Sequence, residues 1–486
     1  MGKLISNYIY NFLYQIVVLL VPLILSPFLA RKLGADNLGI YSYVYSTCAV
    51  ISTISLIGTY NYGARQIAYI RDNPTDLKNV YWEIFNLRLI FGLIGIFVYF
   101  IIGCNSEYNL YFVLFSGWLI AGVFDPSWMF VGIENMKPTV FKNLAVKVIS
   151  VILIFITISS KNDLWKYSLI MGGTMLISTV VLLFQVTPYV GHPCFRFTNF
   201  KKHFFGSLNL FLPQVATLFY LQVDKIMIKI LYSDINQVSF YDQSEKIVTI
   251  PLTFITVLST VMMPRIANEF ANKNYECIKR LILSVGKLSL LLSCPMMVGI
   301  FCIADNFIPW YLGAEFIPTA LAIKIICPII ISNSMAGLSG NQYFTATNQI
   351  NILMKSYVSA AVTNVLVNAL LIPRYGFVGA AVATVISSYI SVGIQYYYLN
   401  KQVNVSAIVK DLIKYLLLSF VMGAFIMMLN IVITDGVIET FADILIGGLV
   451  YLVLLVITKD TMFLSLLKKA KKFVKRGVKT PGARHR

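Results

Sequence analysis

Charged side chains that interrupt long apolar runs are the residues of this sequence best placed to do chemistry. Arg88 lies among Phe85, Leu87, Leu89 and Ile90, about two turns inside an apolar run from 81 to 103. That depth is too great for its guanidinium to snorkel to water. It either faces a polar cavity, where it would bind an anion, or pairs with an acid such as Asp125. Asp224, Lys225 and Lys229 fall in the run from 204 to 231. Lys225 and Lys229 are four apart and share one helix face, near enough to the run's end that one can snorkel instead. Asp242, Glu245 and Lys246 open the next run, with Asp242 and Lys246 at i,i+4; they form either a local ion network or a set of groups that binds charge. Asp125-Pro126 sits well inside the run from 108 to 131. The proline breaks the helical ladder there. The acid beside it is a candidate for cation or proton coupling, or else a partner for Arg88 or for a freed backbone amide. Lys147 and Lys324, each close to a run end, read as snorkelling residues.

The runs themselves must position these groups. The chain has 486 residues, of which 58% are hydrophobic and 12% charged, with a mean hydropathy of +0.76. A soluble domain carries about 25% charged residues, so this is an integral membrane protein. About 20 apolar residues span the hydrocarbon core as a helix. Fourteen such runs are present: 8–30, 40–60, 81–103, 108–131, 142–160, 164–187, 204–231, 238–263, 281–304, 320–345, 357–373, 376–399, 412–433 and 438–458. An outer-membrane barrel would alternate apolar and polar residues in shorter segments, whereas Ile16–Ile24 and Val151–Ile156 are unbroken. The expected fold class is therefore all-α and polytopic.

Lys and Arg collect in cytoplasmic loops. With the N-terminus inside, only Arg31, Lys32, Lys161, Lys166 and Arg374 of the 39 basic residues fall in outside loops, so both termini are expected in the cytoplasm. The net charge of +18 then reflects topology rather than nucleic-acid binding. The tail from Lys459 holds ten basic residues and Asp460 as its one acid. Its Lys468-Lys469-Ala470-Lys471-Lys472 cluster reads as a topology lock that contacts anionic lipid headgroups, with partner docking as the alternative. The Met1-Gly2-Lys3-Leu4-Ile5-Ser6 match to a myristoylation pattern is treated as chance, and the first run is too long for a signal peptide.

Seven cysteines without metal-type spacing imply neither a metal site nor a disulfide framework. His192, His203 and His485 all fall in loops or the tail, which argues against a histidine proton relay. No phosphate-cradling GxxxxGK[ST] loop is present, so no nucleotide cofactor is expected. Most of the 29 tyrosines and 33 phenylalanines read as interfacial or packing residues, although aromatic rings can stack on sugars. Pro373, Gly376 and Gly379 read as a helix end, a tight turn and a close packing contact.

An offset of 200 residues superposes Asn37–Tyr41 on Gln237–Tyr241 and Arg65 on Arg265, and a shift of 214 pairs Phe130–Asn135 with Phe344–Gln349. These matches support two pseudo-symmetric six-helix lobes, residues 1–200 and 201–402. Helices thirteen and fourteen, 403–458, are an appended pair, and 459–486 a basic cytoplasmic tail.

Several of the same segments carry a resemblance. Arg31-Lys32-Leu33-Gly34-Ala35-Asp36-Asn37-Leu38-Gly39-Ile40-Tyr41-Ser42 resembles the first-loop signature of polysaccharide-biosynthesis flippases. So do Asn364 to Asn368 followed by Leu371–Ala381, Asp224-Lys225, Tyr241 and Trp310-Tyr311-Leu312-Gly313. The similarity spans essentially the whole chain. It implies an O-antigen or capsule repeat-unit flippase of the multidrug/oligosaccharidyl-lipid/polysaccharide exporter superfamily, moving undecaprenyl-pyrophosphate-linked oligosaccharide from the inner to the outer leaflet of a bacterial plasma membrane. Membrane lipids, H⁺ or Na⁺ and other polysaccharide-assembly proteins are the further partners implied.

Carrying a pyrophosphate and sugars across the bilayer demands cations and polar groups in an internal cavity, because buried charge is costly there. Arg88 and Lys225 are assigned to the pyrophosphate, supported by Lys246. Asp224 is placed beside the substrate to balance charge, and Asp125 and Glu245 are the ion-coupling candidates. The runner-up is a drug or organic-cation antiporter of the same superfamily. That reading expects an acid deep in the first helix, and residues 8–30 contain none. A membrane polysaccharide polymerase is a further alternative, but such enzymes present a large outside loop, which this chain lacks. The protein is accordingly expected not to be an enzyme.

Overall fold

The computed structural model describes residues 2–260, 262–431 and 436–468. In chain order its helices are α1 (Gly2–Leu56), α2 (Thr59–Ile70), α3 (Pro74–Cys104), α4 (Asn109–Phe124), α5 (Ser127–Gly132), α6 (Lys137–Thr157), α7 (Leu164–Val190), α8 (Phe200–Leu231) and α9 (Asn236–Thr260). They continue with α10 (Met263–Ala271), α11 (Tyr275–Tyr311), α12 (Pro318–Ile326), α13 (Ile329–Ala336), α14 (Ile350–Tyr375), α15 (Phe377–Gln402), α16 (Ser406–Leu429) and α17 (Gly436–Ile457). No strand occurs among the described residues. In lipid only a helix or a closed barrel satisfies every backbone group. Nine of the described helices are long and apolar enough to cross a membrane, or eleven spans if each of two bent pairs counts as one. The protein is a multi-pass, all-α membrane protein. The basic tail expected from 459 falls outside the described residues from 469 onward.

Several expected runs are not single straight rods. The run 40–60 bends where Ile57 and Gly58 take positive φ values of 43° and 67°. The run 108–131 breaks at Asp125-Pro126, and the run 320–345 passes from α12 through α13 into a π-helical stretch, Gly337–Phe344. The turn between the first two runs is built on Gly34, whose backbone (φ 79°, ψ 175°) interrupts α1. That conformation favours glycine. A side chain at Gly34 would also press on the Glu315 carboxylate, 2.8 Å away. Glu315 closes the turn by pairing with Lys161 at 2.5 Å and accepting from the Ala35 amide at 3.2 Å. Lys161 holds the Glu315 carboxyl below its usual range, burial opposes this, and the Ala35 bond adds to the lowering. Asn37 donates to the Leu33 and Lys161 carbonyls at 2.9 and 2.8 Å.

The chain forms two compact units. One comprises residues 1–247, 311–322 and 354–387. Within it α1 packs against α8, α3, α4 and α6, and α4 against α7. One end is filled by an aromatic core in which Tyr81 stacks on Trp128 at 5.0 Å, with Trp82, Phe85 and Phe130 around them. Beside that core lies His203, expected in a loop but placed in the first turn of α8 with 2% exposure. Burial is tolerated because both ring nitrogens are partnered, by Glu83 at 2.9 Å and Tyr62 at 3.0 Å. Arg196 and Asn199 also donate to Glu83, which ties the segment before α8 to α3.

The second unit comprises residues 248–310, 323–353 and 388–486. Here α16 and α17 form a hairpin against α11, joined by the Tyr451 hydroxyl to the Leu291 carbonyl at 3.0 Å. Asp460 is an anchor rather than a stray acid. It is fully buried, accepts from Lys414 at 2.5 Å and the Tyr415 hydroxyl at 3.1 Å, and caps the following turn through the Phe463 amide at 2.9 Å.

Candidate functional site

The charges expected to act sit at three places in the first unit. At the break between α4 and α5, proline removes the amide at 126 and pushes Asp125 to an extended backbone (ψ 114°). The carbonyls of Gly122 and Val123 thereby lose helical partners. Arg88, from α3, replaces them: Nη2 donates to Gly122 O at 2.5 Å and Nε to Val123 O at 3.0 Å, with Nη1 3.4 Å from Thr59 Oγ1. The residue is 2% exposed. On the other side of the break, Asp125 Oδ1 accepts from the Ser127 amide and hydroxyl at 3.2 and 2.6 Å, and from Lys142 Nζ at 2.8 Å. Arg88 and Asp125 are thus gathered by one broken helix but hold different groups.

The second place lies between α1, α8 and α9. Lys225 Nζ is 3.0 Å from Asp242 Oδ1 and 2.8 Å from Glu245 Oε2, and Lys246 Nζ is 2.6 Å from Asp242 Oδ2. The i,i+4 pair expected on α9 is present, and Lys225 crosses from α8 to join it. The side chains of Lys225 and Asp242 are 6% exposed, that of Glu245 13% and that of Lys246 42%. Ser42 of α1 donates to Asp242 at 2.8 Å, and Ser46 one turn on donates to Gln222 at 3.0 Å. Lys229 leaves this group: it pairs with Glu107 at 2.6 Å, over the Tyr108 ring.

Asp224 precedes Lys225, but the 100° turn of the helix points it elsewhere. It accepts from the Tyr241 hydroxyl at 2.6 Å, from Thr384 at 2.8 Å and from Asn368 Nδ2, which also reaches Asn364 at 3.1 Å. All five residues are fully or almost fully buried, and Asn368 Oδ1 has no hydrogen-bond partner among the described residues. Polar side chains four apart in an apolar run mark Asn364 and Asn368 in the sequence, yet nothing in the sequence alone links them to Asp224. Lys142, Ser42 and Thr384 gave no signal beyond being polar. Among the described residues no group of three or more His, Cys, Asp or Glu is arranged to hold a metal.

A multi-pass helical bundle that keeps ionised side chains inside its apolar layer has the make-up of a membrane transporter. Comparison with known proteins narrows the class. The model of the polysaccharide biosynthesis protein family matches residues 4–270, and that of the lipid II flippase MurJ matches residues 138–447. The chain is 21% identical over 387 residues to a putative O-antigen transporter of Escherichia coli K12, covering 77% of this chain and 92% of that protein. It is 24% identical over 323 residues to a probable low-salt glycan biosynthesis flippase, Agl15, of Haloferax volcanii, covering 65% and 66%. Among solved structures it resembles the lipid II flippase MurJ in an inward closed conformation (TM-score 0.70, 17% identity, 94% of this chain and 99% of that one). It also resembles an inward-facing multidrug resistance MATE transporter of the MOP superfamily (TM-score 0.62, 14% identity, 82% and 96%). The chain belongs to the polysaccharide biosynthesis protein family.

Proposed function

We propose that the protein is a flippase that moves undecaprenyl-pyrophosphate-linked oligosaccharide repeat units from the cytoplasmic to the outer leaflet of a bacterial inner membrane by alternating access. The observation that carries the reading is Lys225, a buried ammonium shared by two carboxylates on a neighbouring helix. A buried cation with two interchangeable anionic partners can give one up to an incoming phosphate. Lys225 and the more open Lys246 are assigned to the pyrophosphate, and Glu245, released when phosphate takes Lys225, is assigned the coupling cation or proton. Asp242 and Glu245 face the Lys225 and Lys246 ammonium groups here, while Asp224 lies in the adjoining network of Tyr241, Thr384 and Asn368. Asp224 is assigned to charge balance and ion coupling, supported by the Asn368 oxygen beside it, which has no partner among the described residues. Arg88 and Asp125 are assigned to holding the broken helix, because their polar atoms are taken up by backbone, hydroxyl and Lys142 partners; Arg88 reaches the pyrophosphate only if that break rearranges.

The reading includes fourteen spans with both termini cytoplasmic, two six-helix lobes (1–200 and 201–402), an appended pair (403–458) and a basic tail. The repeat is supported by paired contacts. Asn37 donates to the Lys161 carbonyl ahead of the sixth run, and Gln237 accepts from the Phe377 amide opening the twelfth at 3.2 Å. Likewise Tyr41 packs on Tyr167 at 4.4 Å and Tyr241 bonds to Thr384 at 2.8 Å. Transport rather than catalysis is the expected activity, with H⁺ or Na⁺, membrane lipids and polysaccharide-assembly proteins as the other partners.

The test is protein-dependent delivery of undecaprenyl-pyrophosphate-linked oligosaccharide to the far leaflet of reconstituted liposomes, with and without an imposed H⁺ or Na⁺ gradient. Wild-type protein should deliver it and Lys225→Gln should not. Uptake of an organic cation with no movement of any lipid-linked glycan would favour the antiporter reading instead.

A further inference from the structure

The face of α1 that carries Ser42 and Ser46 carries Tyr45 between them. Ser42 on that face bonds at 2.8 Å to Asp242, the carboxylate that holds Lys225 at 3.0 Å, and Ser46 bonds to Gln222 at 3.0 Å. The Tyr45 ring meets Trp118 of α4 at 5.8 Å and 67°, so the two planes form a corner. That corner is braced from behind. Phe115 stacks on Trp118 at 6.1 Å and 14°, meets Tyr45 edge-on at 6.1 Å, and is itself met by Tyr41 at 5.7 Å. Phe115 and Tyr41 are buried, whereas Tyr45 and Trp118 are half-buried. Among the described residues neither the Tyr45 hydroxyl nor the Trp118 indole N–H makes a hydrogen bond, and the half-buried setting of both rings leaves these polar tips open to a ligand.

We infer that Tyr45 and Trp118 form a stacking corner for the pyranose attached directly to the phosphate held by Lys225. The inference rests on the flippase reading and adds a specificity element to the same site. A pyranose offers a patch of C–H groups to an aromatic face and a rim of hydroxyl or acetamido groups to polar tips. Rigid aromatic walls with unused O–H and N–H groups match both features, and they are pre-organised by the packing beneath them. The place of Tyr45 beside the cation follows from α1, since residues 42, 45 and 46 share one helical face, and Trp118 is brought to it by the ring contact with Tyr45. No covalent step is involved; the corner contributes recognition of the first sugar.

The experiment uses full-length protein in liposomes and two probes: undecaprenyl pyrophosphate bearing one N-acetylhexosamine, and bare undecaprenyl pyrophosphate as competitor. Trp118→Ala and Tyr45→Leu should each raise KM for the glycosylated probe about tenfold. Their kcat and the competition constant of the bare carrier should stay near wild type. Trp118→Phe, which preserves packing on Phe115, should recover most of the loss. An unchanged KM in both variants overturns the inference, as does a loss that falls equally on the bare carrier, which would mark a structural role. If Trp118→Ala fails to reach the membrane, Tyr45→Leu and Trp118→Phe carry the same comparison. Failure of the wild-type protein to move either probe overturns the flippase reading together with this inference, and is recognised because it precedes any variant effect.

Discussion

Replacing Lys225 by Met keeps the length of the stem but removes an ammonium group that touches two carboxylates at 3.0 and 2.8 Å. The three side chains are at most 13% exposed, so water compensates little. Removing one partner of a buried ion pair leaves an uncompensated charge and costs about 3–5 kcal/mol. Lys246 reaches Asp242 at 2.6 Å, and its proximity limits the cost to the lower half of that range. Replacing both members, Lys225→Met with Glu245→Gln, removes one charge of each sign. Neutral replacement of a whole buried pair is often close to neutral in stability, so the double variant should recover most of the lost stability. It should still fail to transport, because the cation assigned to the phosphate is gone. Thermal unfolding of purified protein gives the first quantity, where a loss of this size lowers the midpoint by several degrees. The liposome assay gives the second. A single variant that melts like wild type would show that Lys225 does not hold two charges together. A double variant that transports at the wild-type rate would show that Lys225 is not the ligand of the anion.

Arg88→Met should leave the Gly122 and Val123 carbonyls unpartnered at about 1–3 kcal/mol each. Adding Pro126→Ala, which restores an amide able to reach Gly122 O, should return part of that stability; no recovery in the melting midpoint would refute the role given to Arg88. A methyl group at Gly39 would collide with the Ile235 carbonyl, so Gly39→Ala should sharply reduce folded protein. Gly173→Ala, with nothing within 4 Å of the added carbon, should be neutral or stabilising by up to about 1 kcal/mol, as size-exclusion yield and melting would report. The Glu315 carboxyl lies below its usual range, so its stabilising effect is present above about pH 4.3, the unfolded value, and is lost as pH falls through the lower folded value. Lowering pH from about 6 to 4 should therefore lower the melting midpoint of wild type more than that of Glu315→Gln; equal slopes would remove Glu315 from the turn.

Composition and run length alone determine that this is a polytopic helical membrane protein, because a bilayer leaves only helices and closed barrels as spanning structures. The same local rules locate the helix break at Asp125-Pro126, the tight turn at Gly376 (φ 54°) and the i,i+4 pair of Asp242 and Lys246. Each of these depends on residues within one or two turns of one another. The partners of the charges do not. Lys225 meets Glu245 across two helices, Asp224 meets Thr384 far along the chain, and Arg88 serves carbonyls of another helix rather than Asp125. Depth within an apolar run says that a charge must be compensated, but not by which group, because a backbone carbonyl, an amide and a carboxylate can all do so and only packing selects among them. His203 shows the same limit: a residue at a run boundary reads as loop until Glu83 and Tyr62, distant in sequence, are brought to both sides of its ring.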